Sequence, residues 1–224
     1  MCHILQIETS TTCCSVAIAQ NGHTLAVYEQ YEQNIHASFL TIFIEKILTE
    51  TSISWKDIKA VAISQGPGSY TGLRIGVSTA KGLCYALDKP LIAIDTLKGM
   101  ANQIIQTNNY NPNILLCPMI DARRMEVYTA LFDWHLNYIE DTCAKIIDNK
   151  SFIEILKERS VVFFGDGMSK CKIMLENISH AIFHEEFVNS ASGLSQLAYE
   201  HYKQKKFEDL AYFEPFYLKD FFFK

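Results

Sequence analysis

The chain lacks the features that would place it in or across a membrane. Its 224 residues contain no apolar run that approaches the roughly 18 residues of a transmembrane helix. The start of the chain, MCHILQIETS, carries neither the basic region nor the small-residue cleavage site of a secretory signal peptide. We therefore expect a cytoplasmic protein without a signal peptide and without a membrane partner.

Positive charge is also scarce. The sequence has 20 Lys and Arg against 25 Asp and Glu, a formal net charge of −5, and the basic residues form no stripe. Nucleic-acid binding depends on Lys and Arg side chains that neutralise phosphates. A dedicated nucleic-acid groove is therefore not expected, and RNA would reach this protein only as part of a larger complex.

The cysteines lack the spacing of a disulfide framework or of a metal site. There are seven of them, an odd number, with no C-x-x-C pair, and most lie in apolar segments. Such cysteines are typical of reduced, buried thiols in cytosolic proteins. Because no spacing of Cys and His residues resembles a zinc site, we predict no metal ligands.

Apolar material, in contrast, is plentiful. Hydrophobic residues make up 49% of the sequence, enough for a sizeable core. The length fits one large domain or two lobes of about 100 residues each. The segment NNYNPN at 108–113 has the strongest turn chemistry in the chain. We therefore predict an N-terminal lobe over residues 1–109 and a smaller C-terminal lobe over 110–224.

The same order of elements is predicted on both sides of this linker. An Asn-Gly pair between two apolar runs predicts a hairpin near the start of the chain. In the first half we predict strands at 4–7, 13–19, 23–28, 58–63 and 91–94 and helices at 34–50, 71–87 and 96–105. In the second half we predict strands at 114–120, 125–134, 138–147, 161–164 and 181–184 and helices at 151–158, about 168–178 and 192–206. Each half therefore reads approximately βββαβαβα, which indicates a duplicated α/β fold.

Five of the ten glycines lie in one segment, SQGPGSYTGLRIGVSTAKGLCYAL, at 64–87. Glycines before a helix suggest either a phosphate cradle or close packing. Gly72, Gly76 and Ala80 recur every four residues and form a ridge without bulk on the predicted helix. Each helical glycine costs about 1 kcal/mol relative to alanine, so close approach of another backbone is the favoured explanation. That backbone belongs either to a partner or to the protein's own sheet.

The preceding helix also suggests an interface. Its apolar arc is wider than the stripe of a helix that covers a single core, so the two helices together predict an exposed apolar patch. The predicted partner interface consists of Ile35, Phe39, Ile42, Phe43, Gly72, Arg74, Gly76 and Ala80.

Four motifs, IETSTTCCSVAI (7–18), GPGSYTGLRIG (66–76), IDARRMEVY (120–128) and EPFYL (214–218), together resemble the TsaB family. The resemblance covers essentially the whole chain and is densest over residues 1–135. The duplicated element order is similar to the two ribonuclease H-like lobes of the actin, sugar-kinase and Hsp70 group, or ASKHA superfamily. The resemblance therefore implies two such lobes, with a nucleotide cleft between them in the kinases of that group.

In those kinases an acidic residue at the end of the first strand holds Mg²⁺, and the polar turn after it contacts phosphate. The matching candidate nucleotide-cleft residues here are Glu8, Thr9, Ser10, Thr11, Asp121, Gly165 and Gly167. Glu8 is one methylene longer than the usual aspartate, which a site for a hard cation tolerates poorly. The alternatives are that the residues around Glu8 only satisfy a turn, and that Asp121 forms a salt bridge or turn with Arg123.

The resemblance also implies the role of the chain. TsaD, the catalytic relative, holds its metal with two histidines on the helix after strand five. The corresponding stretch here, AIDTLKGMANQI at 93–104, has no histidine. The expectation is a non-catalytic subunit that forms a heterodimer with TsaD and is joined by the ATPase TsaE. The complex would transfer threonylcarbamoyl to adenosine 37 of tRNAs that read codons beginning with A.

Several points stay open at this level. No cofactor is firmly predicted, and ATP or ADP would bind in the assembled complex. A homodimer of the isolated chain and the docking site of the tail YLKDFFFK are both undecided. Two other functions remain: an ATP-dependent small-molecule kinase of the same fold, and a self-associating scaffold unrelated to tRNA.

Overall fold

The computed structural model describes residues 1–32 and 35–219, and it confirms the predicted α/β fold. The strands are β1 His3–Glu8, β2 Cys13–Gln20, β3 His23–Tyr31, β4 Ile58–Gly66, β5 Leu91–Asp95, β6 Leu115–Asp121, β7 Glu126–Phe132, β8 Tyr138–Ile146, β9 Val161–Phe164 and β10 Ala181–His184. The helices are α1 His36–Thr51, α2 Tyr70–Leu87, α3 Thr96–Thr107, α4 Ile153–Glu158, α5 Met168–Leu175 and α6 Ser195–Lys203, with a 3₁₀ turn at Ala191–Leu194. The predicted start of the first helix at Asn34 lies outside the described residues.

The first sheet has the strand order β3-β2-β1-β4-β5. β1, β2 and β3 pair antiparallel, and β4 and β5 continue the sheet parallel to β1. The predicted hairpin turn is present, with Asn21 and Gly22 both at positive φ. Leu5 and Ile7 of β1 face a core that α1 and α2 cover. Because side chains alternate along a strand, Gln6 and Glu8 point to the opposite face, on which α6 packs.

The second sheet repeats this arrangement in the order β10-β9-β6-β7-β8. β6, β7 and β8 are antiparallel, and β9 and β10 lie parallel to β6. Its core contains Leu131 and Phe163 from the sheet, Leu156 from α4 and Cys171 from α5. The two sheets therefore share one topology, as the repeated element order predicts.

The division of the chain differs from the predicted boundary. One compact unit comprises Met1–Gly99 and the segment that begins at Asn189, and the other comprises Met100–Val188. The turn-rich segment lies inside the second unit, where Tyr110 Oη is 3.0 Å from His184 Nδ1. The C-terminal segment belongs to the first unit because α6 packs on that unit's sheet and Phe213 enters its core. The predicted lobes 1–109 and 110–224 are therefore corrected to a continuous second unit inserted into a discontinuous first one.

The cysteines are all free thiols, and five of the seven are buried. Burial raises the pKa of Cys14 to about 11 and that of Cys84 to about 12. These thiols are thus packing residues rather than nucleophiles. Across residues 1–32 and 35–219, no helix is long and apolar enough to cross a bilayer.

Candidate functional site

The glycine-rich segment packs directly against the loop between β1 and β2. Ser69 N donates a hydrogen bond to the Ser10 carbonyl at 2.6 Å, and Ser69 Oγ caps α2 by accepting from Gly72 N at 3.3 Å. A Cβ on Gly68 would overlap the Ser10 carbonyl, and one on Gly72 would overlap the Thr9 carbonyl. The glycines therefore allow two backbones to touch, which favours close packing over a phosphate cradle.

The predicted ridge of α2 faces the interior of its own unit. Gly72, Gly76 and Ala80 are all buried. A Cβ on Gly76 would overlap Thr9 Oγ1, which itself donates to the Gly72 carbonyl at 2.8 Å. The prediction that this ridge is an exposed interface is wrong, because the β1–β2 loop already occupies the space beside it.

The rest of the predicted interface is divided between core and surface. Ile35 and Phe43 are buried in the first core and are removed from the interface. Phe39 is half-buried, and Ile42 is 53% exposed. The two α1 residues that remain accessible therefore belong to one edge of this helix.

A second row of small residues lies on the outer face of α2, and the sequence reasoning missed it. Ser78, Gly82 and Ala86 are exposed and recur every four residues, like the buried ridge. Apart from its chain neighbours and the backbone of α2 itself, no atom of residues 1–32 and 35–219 lies within 4 Å of a Cβ built on Gly82. The signal in the sequence was Gly82 itself, a helical glycine for which the buried ridge gives no reason.

Arg74, also predicted for the partner interface, contacts the C-terminal segment of its own chain. We call residues 207–219 the C-terminal strap. Arg74 Nε donates to Tyr217 Oη at 3.2 Å, and its guanidinium lies 4.2 Å from the centroid of the Tyr70 ring. The rings of Tyr70 and Tyr217 are 4.9 Å apart. Arg74 therefore attaches the strap to the start of α2.

Further hydrogen bonds hold the strap, among them one from Glu208 N to the Leu91 carbonyl at 3.0 Å. Lys81 Nζ donates to the carbonyl oxygens of Ala211 at 3.2 Å and Phe213 at 2.9 Å. Phe216 N donates to the Gln65 carbonyl at 2.7 Å. Arg74 and Lys81 are seven residues apart, which places them on one face of α2, and both contact the strap. Phe221, Phe222 and Phe223, whose docking site the sequence left open, lie outside the described residues.

Glu8, the first candidate acidic residue, closes a buried turn. Ser10 N donates to Glu8 Oε1 at 2.6 Å. Thr9, Ser10 and Thr11 are buried as well, and Asn189 Nδ2 donates to Ser10 Oγ at 3.2 Å. Burial raises the pKa of Glu8 and outweighs the opposing effect of the Ser10 hydrogen bond. This geometry favours the turn over a site for metal and phosphate.

Replacing Glu8 with glutamine is expected to remove a pH dependence of stability. The raised pKa means that the folded state binds the proton more tightly, so wild-type stability falls as pH rises from the unfolded-state pKa, about 4.5, through the folded-state pKa. Glutamine keeps the acceptor for Ser10 N. The variant should therefore match wild type below pH 4.5 and be more stable than wild type at pH 8. Urea unfolding across this pH range measures the free energy of unfolding of both proteins. The prediction would be contradicted if the two plots of that free energy against pH ran parallel.

Asp121, the second candidate, lies at the end of β6 in the other unit. Asp121 Oδ1 accepts from Arg123 N at 2.6 Å and from Lys170 Nζ at 2.8 Å. The predicted turn with Arg123 is present, whereas the salt bridge is formed with Lys170. Asp121 N in turn donates to Asp166 Oδ1 at 2.9 Å, and burial raises the pKa of Asp166.

The turn Gly165–Gly167 packs against β6. Gly165 has a φ of 101°, and a Cβ there would overlap the Met119 carbonyl. A Cβ on Gly167 would lie 3.1 Å from Asp121 N. The structure therefore brings Asp121, Gly165 and Gly167 together, with both glycines serving close contact between backbones.

His180 and His184 contact different groups. His180 Nδ1 is 2.7 Å from the Leu156 carbonyl, and His184 contacts Tyr110. Within the described part of the chain, no group of three His, Cys, Asp or Glu residues could hold a metal ion.

Comparison with known proteins identifies the family. Residues 30–221 match the family model described as TsaD, tRNA N6-adenosine threonylcarbamoyltransferase. The chain is 32% identical over 178 residues to the tRNA threonylcarbamoyladenosine biosynthesis protein TsaB of Bacillus subtilis (strain 168), an alignment that covers 78% of this chain and 76% of the relative. The chain belongs to the TsaB family.

Solved structures agree with this assignment at the level of the fold. YeaZ from Pseudomonas aeruginosa superposes with a TM-score of 0.80 at 23% identity, over 97% of this chain and 100% of that chain. An activator of the 2-hydroxyisocaproyl-CoA dehydratase from Clostridium difficile gives a TM-score of 0.55 at 12% identity, over 92% and 98% of the two chains. The TsaB-family chain thus has the ASKHA fold and is a threonylcarbamoyladenosine biosynthesis protein related to TsaD.

Proposed function

We propose that this TsaB-family chain is a non-catalytic subunit that binds TsaD and supports threonylcarbamoyl transfer to adenosine 37 of tRNAs that read codons beginning with A. The observation that carries the proposal is the outer face of α2, where Ser78, Gly82 and Ala86 leave a smooth exposed row. The match to the TsaD family model and the name of the Bacillus subtilis relative support the choice of partner.

The surface has the composition of a protein interface. The half-buried side chains of Ile75 and Leu83 flank this row on α2, and on α1 Phe39 packs on the same core while Ile42 is 53% exposed. α1 and α2 are in contact, and we propose that TsaD covers the accessible residues of both helices. Because small side chains let helix axes approach and aromatic residues are enriched at interface centres, the face suits a partner helix. We define it as the α1–α2 face.

The two candidate acidic residues support a non-catalytic role. Glu8 is enclosed in its turn, and Lys170 already neutralises Asp121. Glu8 thus presents no open carboxylate, and the exposed Asp121 is already paired with a cation, so the two do not offer the Mg²⁺ site that a small-molecule kinase would need. We therefore propose that ATP or ADP is bound by the assembled complex, in which TsaE joins the heterodimer, and that the complex works in the cytoplasm. In the absence of TsaD, the α1–α2 face is also the proposed contact of a homodimer.

Reconstitution tests this function. The purified chain, TsaD and TsaE are combined with ATP, bicarbonate, tRNA, labelled threonine and the enzyme that forms the threonylcarbamoyl adenylate, and the label in tRNA is measured with and without the chain. We expect modification to require the chain and ATP turnover by the chain alone to stay at background. ATP turnover that disappears on Asp121→Ala would support the kinase alternative. Self-association with no effect on TsaD would support the scaffold.

Replacing Ile42 with aspartate is expected to weaken TsaD binding by about 10- to 100-fold, since a charge would be buried in an apolar contact. The melting temperature should change little, because Ile42 is 53% exposed in the free chain. Ile173→Asp provides the control, because Ile173 is 72% exposed on α5 of the other unit. Titration of TsaD with wild type, the Ile42 variant and the Ile173 variant measures the change in affinity. Equal affinity of the Ile42 variant and wild type would place the contact away from α1.

A further inference from the structure

The turn between β6 and β7 contains two arginines whose backbone φ angles are positive. Arg123 has a φ of 68° and Arg124 a φ of 48°, both in the left-handed region. Asparagine and glycine occupy this region at lower cost than arginine, and the chain uses that pair, Asn21 and Gly22, in its β2–β3 turn. The arginines at this turn are therefore not explained by backbone preference.

Several hydrogen bonds fix the backbone of this turn. Asp121 Oδ1 accepts from both Arg123 N and Lys170 Nζ, and Lys170 Nζ also donates to the Glu126 carbonyl at 2.8 Å. Ala122 N donates to the same Glu126 carbonyl at 3.1 Å. Asp121 is thus already paired with a cation, and its position fixes the turn from below.

The guanidinium groups themselves are presented to solvent. Arg123 and Arg124 are exposed, and within residues 1–32 and 35–219 no carboxylate lies at ion-pair distance from either. The corresponding β1–β2 loop of the first unit is closed, with Thr9, Ser10 and Thr11 buried. Two equivalent hairpins therefore differ in character: one is packed and neutral, and the other is open and cationic.

We infer that Arg123 and Arg124 bind phosphate groups of the RNA backbone in the assembled complex. The fork of a guanidinium group matches phosphate oxygens, and phosphate contacts of this kind position a nucleic acid without reading its sequence. The turn lies at the exposed end of a hairpin, and Met125 beside it is 39% exposed. An exposed turn suits an extended polyanion, whereas free nucleotides are bound in concave pockets. The inference rests on the proposed function for its choice of tRNA.

The test replaces the two arginines with Asn and Gly, the residues that the chain itself uses in its β2–β3 turn. Arg123→Asn combined with Arg124→Gly removes both charges and supplies residues that favour positive φ, so the melting temperature should stay the same or rise. The control, Lys205→Gln with Lys206→Gln, removes two exposed charges from the end of the other unit's α6 segment. Unmodified tRNA is titrated at several salt concentrations against the complex with TsaD, and at low salt against the isolated chain.

We expect the turn variant to bind tRNA about 3- to 10-fold more weakly in the complex, with a salt dependence reduced by about one to two phosphate contacts. The lysine control should bind as wild type does. Unchanged tRNA affinity and salt dependence in the turn variant would overturn the inference, as would loss of ATP binding with tRNA binding intact. Failure of the wild-type chain to bind TsaD would instead refute the proposed function, and the titration of the isolated chain would still test the turn.

Discussion

Replacing Gly76 with leucine is expected to destabilise the first unit, whereas replacing Gly82 with leucine on the same helix should leave the fold intact and weaken TsaD binding. At Gly76 an added Cβ would overlap Thr9 Oγ1 and lie 3.0 Å from Ile63 Cδ1. Overpacking of this kind typically costs 1–3 kcal/mol, or about 2–12 °C in melting temperature for a chain of this size. At Gly82 the space is open, and leucine gains up to about 1 kcal/mol of helix propensity.

The two variants are compared by thermal melting and by titration with TsaD. The Gly82→Leu side chain would stand on the outer row between Ser78 and Ala86, so it should prevent close helix approach and lower the affinity by about 10- to 100-fold. Gly82→Ala is the matched control, since it adds the propensity but little bulk. Normal binding by Gly82→Leu would remove the outer row from the interface. A normal melting temperature for Gly76→Leu would show that the β1–β2 loop yields easily.

The contrast between these glycines shows what helical periodicity can and cannot predict. A repeat of four residues correctly places Gly72, Gly76 and Ala80 on one face of α2. The same repeat also relates Ser78, Gly82 and Ala86 on the other face, and both rows are small. Which row faces the interior depends on the β1–β2 loop, about 70 residues earlier in the chain. The sequence pattern therefore predicted a close contact of this helix correctly, but the row that makes it was wrongly assigned to a partner interface.

The order of strands and helices along the chain was predictable because local signals agreed with one another. Apolar runs, the Asn-Gly turn and the spacing of helices all favoured the same repeated order, and the two sheets follow it. The domain division was not predictable from such signals. The turn chemistry of NNYNPN is equally suitable for a linker and for a turn inside a unit, and the return of α6 to the first sheet is a long-range packing event.

The contacts of the two cations on α2 could not be predicted from the local sequence either. The spacing of seven residues is enough to place Arg74 and Lys81 on one face of α2. Their acceptors are Tyr217 and the carbonyl groups on either side of Tyr212, more than 125 residues away in sequence. Nothing in the local pattern distinguishes a cation that binds a distant backbone from one that awaits a partner protein.

Replacing Lys81 with methionine is expected to release the C-terminal strap from α2. Methionine keeps most of the apolar stem but leaves the carbonyls of Ala211 and Phe213 without their donor. Because these hydrogen bonds are exposed or only part-buried, each contributes about 0.5–1.5 kcal/mol, and without them Phe213, only 9% exposed, would be held in the core less firmly. The strap should then exchange its amide hydrogens faster and be cut earlier by proteases, with a melting temperature lower by several degrees.

The exposed Lys56, replaced by methionine, is the control for the loss of one positive charge. Phe213→Ala should reproduce the loosened strap with a larger loss of stability, about 3–5 kcal/mol if the cavity does not collapse. Arg74→Met should act more weakly, since Arg74 is exposed and bonds a single hydroxyl group. If the Lys81 variant keeps wild-type protection of residues 207–219, the strap is held by Phe213 and Phe216 instead. In that case the Lys81 contacts add little, as is usual for hydrogen bonds that water can replace.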